Sequence, residues 1–441
     1  MILAHGIGGR SDLPVPLWLA MYAGGFAVVI SFVALGAFWL TPRLTGPEAG
    51  RPLRLLEAVI DTTLTRAILR GLGVIAFVTT VIVSVYGTGS SASNPAPTWL
   101  YVWFWVGLVP ASLLLGPVWR LLNPLRAFSR ALAHVEGRTD GDWHALPRRI
   151  SYWPAAVSLF VFVWLELVYQ QSDRPILVAV FLLMYALAQA IAGSYYGPQW
   201  HARGDGFEVY SALFGSLAPV GRRKDGRVVL RNPLDGLASV SLEPGLIAVV
   251  CVLLGSTAFD GLTRTDFWSN ITQDSAGLTN ALLGTAGLAG SIAFIAITYI
   301  GATRASAALA SRSDRRNLSH LEGRFIHSLI PIAVGYTIAH YFSLLVFQGQ
   351  AGYILASDPL GRGWDLFGTA DLVINYATIS TTAIALVQVA AIVTGHVIGV
   401  VAAHDRAVAL FSGADKTRAQ YSLLGVMVLY TVGGIALLVG A

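Results

Sequence analysis

Long apolar stretches alternate with short polar ones along this chain. Continuous apolar runs lie near 17–40, 70–87, 99–118, 152–170 and 175–197, then near 245–261, 281–302, 326–348, 376–403 and 421–440. Each is close to the roughly 20 residues of helix that a bilayer core about 30 Å thick demands. Strands of a membrane barrel alternate in polarity over about ten residues. These runs are instead apolar throughout and carry the Gly and Ala of packed membrane helices. The pattern predicts an all-α fold: a polytopic integral membrane helix bundle of about 10 transmembrane helices, built as a single transmembrane domain.

The connections between the runs set an orientation. The segments 42–70, 119–151, 198–244, 303–325 and 404–420 hold 5, 6, 6, 5 and 3 Lys plus Arg, so 25 of the 29 basic residues fall in alternate connections. The other side has only Arg10, Arg174, Arg264 and Arg362. By the positive-inside rule the five basic connections are cytoplasmic and both termini face out. Composition agrees: 55% of residues are hydrophobic and 12% charged, against roughly 25% charged in soluble domains. The net charge of +5 is therefore mainly a topology signal. Loop arginines without stacking or base-reading groups make no nucleic-acid surface, so the expected partner is the lipid bilayer.

Within the basic connections, 51–71 and 123–135 are amphipathic and are expected to lie along the cytoplasmic interface, with arginines near anionic headgroups. The connection 198–244 is rich in turn chemistry (RGDG, RRKDG, RNPLDG) and is expected to be a compact cytoplasmic loop. Two similar strings, RLLNPLRAFS (120–129) and VLRNPLDGLA (229–238), suggest a faint internal echo. The first fifteen residues lack a secretory signal pattern, so the first span is expected to be retained. The single cysteine, Cys251, falls in an apolar run, which allows no intrachain disulfide and makes it a small core hydrophobe.

Ionisable side chains at membrane depth cost about 2.5 to 3.5 kcal/mol on insertion scales and so mark candidate sites. At 1.5 Å per residue, Glu166, Asp260 and His340 each lie roughly 21 to 22 Å above the cytoplasmic start of their helices. Two carboxylates and an imidazole at one depth can hold a divalent metal whose bound water becomes a nucleophile, or can relay protons. Glu166, Asp260 and His340 are thus the expected catalytic and metal-binding residues. His327, His396 and His404, nearer the cytoplasmic side, are secondary metal candidates. His396 and His404 are eight residues apart, about 80° round a helix, which ill suits one shared metal. Haem is the poorer fit, because paired histidines at matching depths are missing. His5 is expected in a flexible outer terminus. No G-x-S-x-G, H-E-x-x-H or C-x-x-C occurs, so the common hydrolase, zincin and redox signatures are absent.

Five strings go together: WHARGDGFEVYS (200–211), RNPLDGLA (231–238), LLGSTAFDGLTRTDFW (253–268), GYTIAHYFSLLVFQGQ (335–350) and TGHVIGVVAAHDRA (394–407). They resemble a family of bacterial, largely actinobacterial, polytopic membrane proteins identified as fenitrothion hydrolases. The resemblance implies a multi-pass protein of the bacterial plasma (inner) membrane that hydrolyses an organophosphorus triester, with a possible second membrane subunit. The residues by themselves leave three classes open. One is an enzyme acting on a small lipophilic substrate. Another is a transporter or proton- and ion-handling carrier, for which Pro110, Pro117 and Pro331 would free backbone groups within spans. The third is a structural subunit of a membrane complex.

The charge asymmetry makes the orientation testable. A reporter active only outside the cytoplasm, fused at the C-terminus, should be active, and one fused in 198–244 should be silent; the reverse pattern would overturn the orientation.

Overall fold

The computed structural model describes residues 16–139, 141–240, 243–311 and 320–439; the candidate His5 lies outside them. The principal helices are α1 (Leu17–Phe38), α2 (Thr63–Tyr86), α3 (Ala96–Leu115), α4 (Leu125–Val135), α5 (Trp153–Leu167), α6 (Pro175–Tyr196), α7 (Pro198–Gly204) and α8 (Gly206–Gly215). They continue with α9 (Leu246–Leu262), α10 (Gly277–Leu309), α11 (Ile330–Ile354), α12 (Thr381–Leu410) and α13 (Tyr421–Val439). Every predicted apolar run is helical. Among the described residues eight segments are long and apolar enough to cross a membrane, and α9 makes a ninth when joined to Asp266–Thr272, from which it is bent by 81°. The remaining run is the 15-residue α5, shorter than the roughly 20 residues a perpendicular crossing takes. The chain is an all-α polytopic membrane protein.

The ends of the helices follow local chemistry. Thr62 caps α2 by accepting from Thr65 N, and Ser380 caps α12 by accepting from Ala383 N. α2 begins earlier than the apolar run predicts, so Arg66 and Arg70 sit on the helix itself. Within α3, the aromatic stretch Trp99–Val106 is wound as a π-helix, a wider turn that is rare and needs local packing to hold it. The echo of N-P-L strings has a local explanation. Asn123 Oδ1 accepts from Leu125 N and Asn232 Oδ1 from Leu234 N, each at 3.0 Å, so both strings are the same helix-starting turn.

The described residues cluster into two compact units. The first comprises 1–49, 232–342 and 379–441 where described, and the second 50–231 and 343–378. The 198–244 connection is therefore divided between them. In the first unit α1 packs on α12 and α13, and α9 packs on α10. A core of Ala20, Tyr336, Ala339, Ile392, Ile435 and Leu438 joins α1, α11, α12 and α13. α11 and α12 cross with backbones almost touching. A Cβ on Gly335 would stand 2.4 Å from Ala391 O, and one on Gly395 2.6 Å from Pro331 O. Small residues at such a crossing replace the hydrophobic drive that lipid does not supply.

In the second unit α6 packs on α4 and α2. The inner side is aromatic: Trp105 stacks on Tyr210 at 4.4 Å, and Phe162 meets Trp105 edge-on at 4.8 Å. A three-stranded antiparallel sheet, β1 (Arg51–Pro52), β2 (Val220–Arg222) and β3 (Val228–Leu230), has the order β1-β3-β2.

The crossing of α11 and α12 should tolerate no side chain. Gly335→Val is expected to destabilise the protein by about 1 to 3 kcal/mol through overpacking, read as a lower melting temperature in a fixed detergent. Gly425→Val, where a Cβ meets nothing within 4 Å, should melt like the parent.

Candidate functional site

Two of the three expected outer-leaflet residues meet. Asp260 stands in the last turn of α9 and His340 in the middle of α11, and both are buried. Asp260 Oδ2 lies 3.6 Å from His340 Nδ1 and 3.3 Å from Arg264 Nη2, one turn further along the chain. The carboxylate is thus held between a partly exposed guanidinium and a fully enclosed imidazole. Tyr336, one turn before His340, stacks on the ring at 5.3 Å. Neither ring nitrogen of His340 has a hydrogen-bond partner among the described residues. A cavity of about 430 Å³ adjoins, lined among others by Ala258, Leu262, Gly287, Tyr336, Tyr430 and Gly434. Its wall is almost wholly apolar, with the Tyr336 that stacks on His340 forming part of it.

Glu166 is placed differently. It belongs to the second unit, on the last turn of α5, half-buried and within electrostatic reach of Tyr101 and Tyr210. Among the described residues no group of three or more His, Cys, Asp or Glu side chains is placed to hold a metal ion. Asp260 and His340 alone fall short of the three protein ligands of a catalytic zinc.

The secondary histidines each make local hydrogen bonds, and His396 Nε2 has no partner among the described residues. His327 is buried and hydrogen-bonds with the backbone at Ala402 and Arg324. His404 Nδ1 faces Gln420 Oε1 at 3.1 Å and Nε2 faces Trp39 O at 3.0 Å. Its neighbour Asp405 accepts from Trp39 Nε1 and from Arg43 N. His396 turns back on its own helix, Nδ1 lying 2.8 Å from Ile392 O. The hydroxyls of Tyr430 and Ser328 on neighbouring helices bond elsewhere, to Ile295 O and Phe325 O respectively.

A polar cluster that the sequence reading missed lies in the second unit, where α4, α6, α7 and α8 converge. Asp205 caps α8 by accepting from Phe207 N and Glu208 N, and its Oδ1 also accepts from Tyr185 OH at 2.6 Å. Asn123 Nδ2 donates to Asp205 Oδ2 at 2.7 Å and to Glu208 Oε2 at 3.0 Å. Arg126 grips Glu208 with two donors, Nε at 2.8 Å and Nη2 at 2.5 Å. Ser129 Oγ lies 2.8 Å from His201 Nε2. The clue was in the strings NPLRAFS and WHARGDGFEVYS, which pack these residues into two short stretches. Their partners, however, are 72 to 85 residues away.

Burial, then the charge of Glu208, pushes the Asp205 carboxyl up to about 6, against the hydrogen bonds from Tyr185 and Asn123. Burial, then the charge of Arg126, pushes the His201 imidazole down to about 3. Burial also acts to raise Glu208, but the Arg126 fork and Asn123 outweigh it and hold this carboxyl below its ordinary value.

No family model, no curated protein and no solved structure matches this chain. The resemblance to fenitrothion hydrolases rests on the quoted strings alone.

The opposed shifts of Asp205 and His201 give a measurable pH signature. Folded Asp205 keeps its proton to about 6 whereas the unfolded residue loses it near 3.8, so its stabilisation is full at low pH and is lost as pH rises through 6. Folded His201 stays neutral to about 3 whereas the unfolded residue takes a proton near 6.5, so its stabilisation is full above 6.5 and is lost as pH falls. The two slopes oppose between about pH 4 and 6. His201→Gln should therefore melt lower as pH rises across that window, and Asp205→Asn should melt higher. Melting curves of both variants that track the parent would refute the assignment.

Proposed function

We propose that this membrane protein handles protons for a small lipophilic molecule, with Asp260 and His340 as the proton site and the adjoining apolar cavity as the binding site. The observation that carries this reading is the buried pair itself. An acid and an imidazole 3.6 Å apart, enclosed in membrane helices, are expensive to keep without a use, and ionisable groups at such depth mark ion or proton pathways. One proton shared by the two leaves either an acid beside a neutral ring or an ion pair. Arg264 contacts the carboxylate from the exposed side. His340 offers a ring nitrogen that no group of the described residues occupies, as a proton donor or acceptor toward a bound molecule. The lining, apolar apart from a few polar groups such as Tyr336, Tyr430 and Ser291, selects a molecule that partitions into lipid. A carrier that couples movement of this molecule to a proton fits these features directly. It would act in the bacterial plasma membrane, with the outer ends of α9 and α11 facing out.

The resemblance favours a second reading of the same pair, hydrolysis of a lipophilic phosphotriester. His340 would accept a proton from water as the oxygen–phosphorus bond forms and the phosphorus–aryloxide bond breaks, and Asp260 would hold the ring. A divalent metal would have to find further ligands beyond the pair.

The two readings part in one preparation. In proteoliposomes with a pH-sensitive dye inside, addition of a lipophilic weak base should move protons through the parent protein. Asp260→Asn and His340→Gln should each lower the flux about tenfold or more, while both still melt cooperatively. Unchanged flux in both folded variants would sink the proton site. Release of nitrophenolate from a phosphotriester, abolished by the same variants with no flux in the parent, would select hydrolysis instead.

A further inference from the structure

From the second unit we infer a discrete binding site for an anionic phospholipid, its phosphate held by arginines of α2 and α4 and one acyl chain lying in an aromatic cavity beside them. The cavity measures about 530 Å³ and is lined by, among others, Leu72, Ala76, Trp99, Trp103, Trp119 and Tyr185. Its α2 wall runs from Leu72 to Thr80, roughly 12 Å along the helix at 1.5 Å per residue. The π-helical turn of α3 brings Trp99 and Trp103 into a stack at 6.4 Å on the facing wall. Each is pinned by its indole N–H, to Gly352 O and Gly349 O, both at 2.9 Å. The wall is thus apolar, and Leu72 and Trp103 are exposed at its edge, where a membrane presents lipid.

The cytoplasmic end of the same wall is strongly basic. Arg70 precedes Leu72 on α2 and lies within electrostatic range of Arg66, Arg126 and Arg130. Arg120, beside Trp119, lies within range of Arg66, Arg126 and Arg222. The carboxylate near both Arg70 and Arg120 is Glu208, and Arg126 already takes it with two donors. Asp61 is likewise engaged, by Arg66 and Arg222. Arg70 Nε is buried and has no hydrogen-bond partner among the described residues. An excess of positive charge among the described residues at the mouth of an apolar cavity suits one class of molecule, an amphiphile with an anionic head. A membrane supplies that as phospholipid. The site shares no residue with the Asp260–His340 pair and does not depend on its function.

Native mass spectrometry of the purified full chain, titrated with phosphatidylglycerol and with phosphatidylcholine of the same acyl chains, tests the site. Phosphatidylglycerol should bind at least about tenfold more tightly. Arg70→Gln and the exposed Arg130→Gln should each weaken it about fivefold, as the loss of one juxtamembrane basic residue implies. Ala76→Trp, which fills the cavity, should weaken both lipids, and Arg227→Gln should change neither. Inorganic phosphate should not displace the lipid, since the acyl chain contributes to binding. Equal binding of the two lipids, parent-like binding by both Arg70→Gln and Arg130→Gln, or displacement by phosphate alone would each overturn the inference. Arg130→Gln removes an exposed side chain, so it keeps the test decisive if Arg70→Gln fails to fold.

Discussion

In hydrocarbon every backbone amide and carbonyl must find a partner within the protein, because no water is there to take its place. That constraint makes each long apolar run a helix and leaves strand pairing to the small sheet of 51–52, 220–222 and 228–230. It also governs the side chains. A polar group at depth is kept only where something answers it, and the answers found here are of different kinds. His396 bonds the carbonyl four residues back on its own helix. His404 and Asp405 tie the end of α12 to Trp39 and Arg43 just after α1. The His404 and Asp405 contacts brace helices, whereas His396 Nε2 keeps no hydrogen-bond partner among the described residues.

The two clusters of buried acids differ in how fully they are answered. In the second unit Glu208 takes a two-pronged grip from Arg126, and Asp205 takes donors from Tyr185, Asn123 and two backbone amides. Such a network fixes how α4, α6 and α8 meet, and removing one partner would strand a charge at a cost of about 3 to 5 kcal/mol. The Asp260–His340 contact is looser at 3.6 Å, and both nitrogens of a buried ring lack a hydrogen bond among the described residues. A satisfied network resists change, whereas an imidazole with free valence beside a carboxylate is suited to gaining and losing a proton. His201 Nδ1 and His396 Nε2 are likewise without partners among the described residues, so it is the carboxylate 3.6 Å away that sets His340 apart.

The glycines of α11 and α12 matter to this site indirectly. Gly335 and Gly395 let the two helices cross at backbone contact, and that crossing lies just below Tyr336 and His340 on α11. A tight crossing sets the rotation of α11 about its axis, and hence the direction in which His340 points. The apolar cavity beside Tyr336 is lined by Gly290 and Gly433, where a Cβ would meet nothing within 4 Å, whereas Gly434 lets Tyr336 pack against α13 and Gly287 lets Trp268 and Phe259 pack against α10.

The sequence by itself determined the helical class, the positions of the spans and the shared depth of Asp260 and His340. These depend on apolar length, on helical rise and on the rule that lipid admits only self-satisfied backbone. It also carried the two N-P-L helix starts, since a cap is made within three residues. The length of α5, the bend after α9 and the division of 198–244 between two units were decided by packing. So was the choice of partners. Equal depth put Glu166 with Asp260 and His340, but depth is one coordinate, and the placement of helices in the plane of the membrane is the other. That placement brings Asp260 of α9 to His340 of α11 within the first unit, while Glu166 belongs to the second. The Asn123, Arg126, Asp205 and Glu208 cluster stood in view as two polar strings, yet its bonds join residues some 82 apart. Only the folded chain closes such distances, because tertiary contact is set by which faces of which helices meet and not by spacing along the sequence.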